Sequence, residues 1–124
     1  MENRYAIPSF LSIPEKVSQS TQVLLPPTES DRPTLSITYF SAAKFPLAFP
    51  PTIARGFGWP QLHLGVEGVN SRVGKWLLDM LTSSDGEPRL RGWTLVDYYA
   101  DPDQSLAPLL VECNFRGRKG EEGW

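Results

Sequence analysis

The sequence predicts a parallel α/β unit that forms part of a larger (β/α) barrel, and three observations lead there. Helical and strand periodicities alternate in the order helix, strand, loop, helix, strand, helix, an order in which each crossover covers the sheet between adjacent parallel strands. Two stretches read as strands, and a two-stranded parallel sheet leaves an edge of unpaired backbone groups on each side. The chain has 124 residues, whereas a complete eight-stranded barrel of this kind takes roughly 250. The expectation is two main parallel strands and three helices within residues 1–116, with a frayed tail over residues 117–124.

The first helix is announced by Ser12-Ile13-Pro14-Glu15. Ser12 can accept from the free backbone N–H groups, Pro14 fits the first turn, and Glu15 suits the positive end of the helix dipole. Val17, Thr21 and Leu24 recur at three- to four-residue steps, which carries the helix to about Leu25, and Pro26-Pro27 ends it. After a polar loop over residues 28–33, Thr34-Leu35-Ser36-Ile37-Thr38-Tyr39-Phe40 alternates strictly. Leu35, Ile37 and Tyr39 share one face, and Ser36, Thr38 and Phe40 the other. Such a strand suits a helix packed on its apolar face and a crowded polar interior on its hydroxyl face. A flat sheet with one wet face would give the same alternation.

Residues 41–64 hold Pro46, Pro50, Pro51 and Pro60 beside Phe45, Phe49, Phe57 and Trp59. That mixture is too rich in proline for regular structure and too apolar for a linker, so a long packed loop is expected, with a single helical turn at residues 52–55. Following a strand's C-terminal end, it could rim a site, or its aromatics could cover a neighbouring helix. Val66, Val69, Val73, Trp76, Leu77, Met80 and Leu81 then recur at helical spacing, with Arg72, Lys75 and Asp79 on the other side. Asn70 and Ser71 lie near the start of this helix and Ser83-Ser84-Asp85-Gly86 closes it.

Arg91-Gly92-Trp93-Thr94-Leu95-Val96-Asp97-Tyr98-Tyr99 reads as a buried strand, stopped by the turn cluster Ala100-Asp101-Pro102-Asp103. Asp97 thus falls near the strand's C-terminal end, where parallel α/β sheets and barrels gather ligands and catalytic groups. A carboxylate there needs a donor facing it, and the plainer alternative is that Asp97 caps the next turn or pairs with an arginine. Beyond it, Leu106, Leu109, Leu110 and Cys113 make a short helical stripe from about Ser105 to Asn114, with Pro108 in the first turn, where no N–H is needed.

Composition excludes several classes of function. A hydrophobic content of 40% supports one core, and 12 basic against 14 acidic residues give a net charge of -2, which is no field for nucleic acid. The short run Arg116-Gly117-Arg118-Lys119 is followed by two glutamates. A lone Cys113 makes no internal disulfide. No apolar run approaches the roughly 20 residues of a membrane span, and the start Met1-Glu2-Asn3-Arg4-Tyr5 lacks the pattern of a secretory signal, so the expected location is cytoplasmic by default. His63 is the one histidine, and there is no HExxH, CxxC or clustered Asp/His set, hence no expected metal site. Gly-x-Ser-x-Gly is absent, and Gly56-Phe57-Gly58 is not a phosphate loop because no Lys-Ser/Thr follows it. His63, between Leu62 and Leu64, reads as a packed or surface residue rather than a general base.

Three runs carry a resemblance: Tyr5-Ala6-Ile7-Pro8-Ser9-Phe10-Leu11-Ser12-Ile13-Pro14-Glu15-Lys16; Ile37-Thr38-Tyr39-Phe40-Ser41-Ala42-Ala43 with Gly56-Phe57-Gly58-Trp59 and Gly65-Val66-Glu67-Gly68-Val69-Asn70; and residues 91–116. They resemble the C-terminal part of fungal phosphatidylinositol-specific phospholipase C-like phosphodiesterases. The resemblance implies the last strands and helices of an irregular TIM-type barrel. It also implies acid–base cleavage of a phosphodiester: one histidine takes the inositol 2-hydroxyl proton, a second protonates the diacylglycerol oxygen, and an arginine stabilises the phosphorane. Both family histidines lie in the N-terminal half, and His63 matches neither. Asp97 matches the aspartate on the last strand, the candidate catalytic carboxylate that holds the base histidine in its tautomer. Tyr5 looks like the tyrosine that stacks on inositol, and Asn3 stands where the family has an aspartate, keeping hydrogen bonding to a sugar hydroxyl without the charge.

The implied substrate is a phosphoinositide or related phosphodiester, with peripheral membrane contact, no cofactor and no nucleic acid. General acid–base catalysis is worth roughly 10²- to 10⁴-fold, and an aspartate without an imidazole to orient does not supply it, so the isolated chain is expected to be inactive. The alternative is a non-enzymatic binding or interaction fragment, whose strand edges join a partner chain that completes the barrel.

Overall fold

A 3₁₀ turn at Phe10–Ser12 leads into the first helix, α1 (Ile13–Gln22), in a computed structural model that describes residues 6–25, 35–83, 90 and 92–115. The expected cap moves by three residues. The Ser9 hydroxyl accepts from the Leu11 N–H at 3.2 Å, while Ser12, at φ -88° and ψ 5°, makes no side-chain cap bond. Its backbone is not in the extended conformation that aims a capping hydroxyl at the first turn. The buried residues of α1 are Ile13, Lys16, Ser20 and Thr21, with Leu24 buried just past the end. The Ser20 hydroxyl donates to the Tyr39 carbonyl at 3.3 Å, which ties this helix to the first strand.

That strand, β1, is Ile37–Tyr39. The structure reverses its expected faces. Thr38 and Phe40 are fully buried, Ile37 and Tyr39 are half-buried and Leu35 is exposed. The alternation is real, but the helices cover the face carrying Thr38 and the large ring of Phe40 rather than the Leu35 face.

Residues 41–64 contain the largest departure from expectation. Lys44 and Ala48 exchange backbone hydrogen bonds, each 2.7 Å, across a tight turn. The helix α2 (Pro50–Arg55) follows, two residues longer at its start than expected because Pro50 and Pro51 occupy a first turn that needs no N–H. The chain then forms an antiparallel hairpin, β2 (Gly56–Trp59) with β3 (Leu64–Glu67), joined through a 3₁₀ turn at Pro60–Leu62. The proline-rich mixture leads to the expectation of a packed loop here. Gly56 and Gly58, at φ +80° and +72°, are instead strand residues whose missing Cβ lets the β3 backbone approach.

The longest helix among the described residues, α3 (Val69–Thr82), starts after β3, so Val66 belongs to the hairpin rather than to the helix. Val69, Val73, Leu77 and Leu81 form its buried stripe, with Trp76 and Met80 half-buried against the core. α3 packs against α1, α2 and the last helix. The strand β4 (Trp93–Leu95) pairs in parallel with β1, with Ile37 opposite Trp93, Thr38 opposite Thr94 and Tyr39 opposite Leu95. The last helix, α4 (Leu106–Phe115), buries Leu106 and Cys113.

The fold is thus mixed α/β, with two parallel strands as expected, but with four helices instead of three and a second two-stranded sheet among the described residues. One hydrophobic core joins α1, α2, α3, α4 and the covered face of β1. The expected buried strand around Asp97 is short and open on one side: Trp93 is 69% exposed and Leu95 44%. The loop at 28–33, the closing Ser84-Asp85-Gly86 and the tail at 117–124 lie outside the described residues.

Candidate functional site

Asp97 lies two residues past β4, and its parallel partner β1 ends at Tyr39. The segments leaving both C-terminal ends meet there. Asp97 is half-buried and lines a cavity of about 180 Å³ with Ser41, Ala42, Ala43 and Pro50. Among the described residues no donor reaches its carboxylate. The plainer reading, an arginine partner, applies to a different aspartate: Arg55 Nε donates to Asp101 Oδ2 at 2.7 Å.

The turn that carries Asp97 is held from beneath by one side chain. Asn70, in the first turn of α3 and 2% exposed, donates its amide to the carbonyls of Asp97 (3.0 Å), Tyr98 (2.9 Å) and Asp101 (3.2 Å). From above, the Arg55 guanidinium sits 4.4 Å from the Tyr98 ring centroid. Tyr98 has φ +52°, a left-handed conformation that a bulky side chain adopts at a cost of order 1 kcal/mol. The Asn70 bonds and the cation–π contact offset that cost.

Sequence reasoning missed Asn70 as a functional support, although a signal was present. Asn70, Val73 and Leu77 lie at i, i+3 and i+7, so the amide occupies a core-facing position. A buried polar group there requires partners, and the partners are the carbonyls of the turn bearing Asp97.

The same turn runs into α4 through Asp103 and Ser105. The Asp103 carboxyl is held below the ordinary carboxylate range, first because the Ser105 hydroxyl donates to it at 2.6 Å and second because the Ser105 N–H does so at 3.1 Å. A pKa depressed by folding gives a contribution present above the unfolded value and lost as pH falls through the folded value. Acidification through that window is expected to release the Ser105 amide, read as coupled shifts of the Asp103 carboxyl and Ser105 N–H resonances, and Asp103→Asn should abolish the transition. An Ser105 amide that ignores this pH range would refute the contact.

The other candidates are not brought to Asp97. His63, at φ +59° in the hairpin turn, is exposed and borders a different groove with Leu11, Pro14, Pro60, Gly65 and Arg72. A larger cavity of about 440 Å³ lies between α3 and the start of α4, with the Lys75–Glu67 ion pair (2.6 Å) on its rim. Tyr5 and Asn3 lie outside the described residues. Among the described residues no three His, Cys, Asp or Glu side chains gather in a way that would hold a metal ion. No described helix is long and apolar enough to cross a membrane. No protein-family model, curated protein or solved structure matches the chain at a significant level.

Proposed function

We propose that this chain forms the closing strands and helices of a TIM-type barrel of the phosphatidylinositol-specific phospholipase C-like kind, and that Asp97 orients a base histidine supplied by the rest of the barrel. The observation that carries this reading is the open face of the parallel sheet. Parallel sheets are covered on both faces. Here helices cover the Thr38 and Phe40 face, while Ile37, Tyr39, Trp93 and Leu95 share the other, and Trp93 and Leu95 are largely exposed. Further strands closing around that face would bury it, and among the described residues no donor reaches the half-buried Asp97 carboxylate beside it.

The same open face supports the second reading, in which another polypeptide covers the sheet without any turnover. One experiment separates the two. The 124-residue chain is assayed on phosphatidylinositol vesicles alone, and again when co-expressed with the N-terminal half of a phospholipase C-like enzyme carrying both histidines and the arginine. The chain alone is expected to release no cyclic inositol phosphate, because its single histidine stands outside the Asp97 cavity. The complemented pair is expected to turn over, with Asp97→Asn lowering kcat by about 10²- to 10⁴-fold. Steady product from the chain alone would sink the proposal, and a complex that forms but stays inactive would favour the interaction fragment.

A further inference from the structure

The groove beside the hairpin turn shares no lining residue with the Asp97 cavity and holds an arginine that no described carboxylate pairs. Arg72, at the end of the first turn of α3, is half-buried. Its Nε donates to the Glu67 carbonyl at 3.2 Å, which fixes the plane of the guanidinium. The two acids that line a groove with it are otherwise placed. Glu67 Oε1 is engaged by Lys75 Nζ at 2.6 Å, and Asp79 stands two turns further along α3, about 10 Å of helix rise away. A charge partly withdrawn from water is stabilised by an opposite charge. The groove itself, of about 340 Å³, has Leu11, Pro14, Pro60 and Val66 on its apolar walls, and His63 borders it. His63 holds a left-handed backbone, φ +59°, at the end of the 3₁₀ turn. Non-glycine residues in that conformation gather at ligand sites, where the surrounding structure imposes it.

We infer that this groove binds a small organic acid, its apolar body along Leu11, Pro14, Pro60 and Val66 and its carboxylate on Arg72. Charge selects a monoanion. Lys75 neutralises Glu67, so with His63 neutral Arg72 is the one charge in the groove left to balance. A phosphate dianion would exceed that charge and face the Glu67 carboxylate on the same wall. With Nε held by the Glu67 carbonyl, the two Nη groups remain, and their parallel N–H bonds match the two oxygens of a carboxylate. The His63 ring N–H adds a further donor. Four apolar side chains on the walls call for an apolar ligand body, which acetate or an inorganic anion lacks. The groove's volume falls at the lower end of small-molecule pockets, about 300–1,000 Å³, far from the extent of a protein interface. The site requires neither turnover nor a completed barrel, so it stands apart from the reading of Asp97.

The test is titration of the full, isotope-labelled chain with sodium hexanoate, followed through the amide resonances of His63 and Gly65 and the Nε–H resonance of Arg72. Saturable shifts of all three are expected. Hexanol, which has the body without the charge, and inorganic phosphate, which has charge without the body, should each bind about ten-fold more weakly or worse. Arg72→Gln should weaken hexanoate binding about ten-fold or more. Arg72→Lys keeps the charge but not the planar pair of donors and should weaken it about three-fold, and Leu11→Ser, at a site 70% exposed, about five-fold. Lys44→Gln, a cation outside the groove, should leave it unchanged. Circular dichroism verifies the fold of each variant, and Arg72→Lys with Leu11→Ser carries the test if Arg72→Gln does not fold. Absence of saturable shifts, binding indifferent to the Arg72 and Leu11 variants, or hexanol or phosphate bound as tightly as hexanoate would overturn the site. Failure here leaves the role of Asp97 standing, and an inactive complemented barrel leaves this site standing.

Discussion

Asn70→Asp is expected to destabilise the fold by about 3–5 kcal/mol, the range for leaving a buried charge uncompensated. The substitution is nearly isosteric, so packing around α3 is preserved. What changes is the sign of the interaction. The Asn70 amide nitrogen faces three carbonyl oxygens, of Asp97, Tyr98 and Asp101, at 2.9–3.2 Å, and a carboxylate in its place would bring negative charge against three acceptors at a site 2% exposed. Asn70→Ala removes the donor without adding charge and is expected to cost about 2 kcal/mol. Urea unfolding followed by circular dichroism distinguishes them, with the midpoint for Asp well below that for Ala at unchanged slope. Equal midpoints would mean that the amide does not hold the turn. The consequence for the site is direct, because the carbonyl of Asp97 itself is one of the three acceptors.

Two glycines in neighbouring turns should respond to alanine with opposite signs. At Gly68 a Cβ would run into backbone atoms where α2 passes into β2, namely Arg55 C, Ala54 O and Gly56 N. None of these is the end of a flexible side chain, so the junction of α2, β2 and β3 would have to open, and Gly68→Ala is expected to cost about 3 kcal/mol. At Gly74, inside α3, the nearest atom to an added Cβ is the Ser105 hydroxyl at 4.0 Å. Gly74→Ala should therefore stabilise by about 0.5–1 kcal/mol, the difference in helix propensity. Thermal melts of the two variants beside the parent check the contrast. A destabilised Gly74→Ala would show that α3 and α4 pack more closely than the structure has them, and a neutral Gly68→Ala would show that the hairpin does not close on α2.

Regular periodicity was the reliable part of the sequence. The stripe of Val69, Val73, Leu77 and Leu81 became the buried side of α3, Pro14 and Pro108 lie near the helix starts assigned to them, and the two strand-like stretches pair in parallel. Each of these follows from spacing that a helix or strand imposes over one or two turns of its own length. The hairpin at Gly56–Trp59 and Leu64–Glu67 was not legible. Its glycines and Pro60 carry the same local preferences in a loop as in a strand where backbones approach closely, and only the partner strand decides between them. The choice of covered face on β1 was likewise undecided. Alternation identifies two faces, and the docking of α1 against the Thr38 side selects one.

At the candidate site the division is the same. The sequence by itself determined that a carboxylate, Asp97, falls near the C-terminal end of a β-rich stretch, because β-branched and aromatic residues give way to Ala100-Asp101-Pro102-Asp103. Tertiary structure alone decided what surrounds it: the residues after β1 that share its cavity, the assignment of Arg55 to Asp101, and the amide of Asn70 beneath the turn. The Asn70 and Arg55 bonds alone join positions 27 to 46 residues apart along the chain. No local preference encodes them, since they arise only when α3 and the parallel pair have packed.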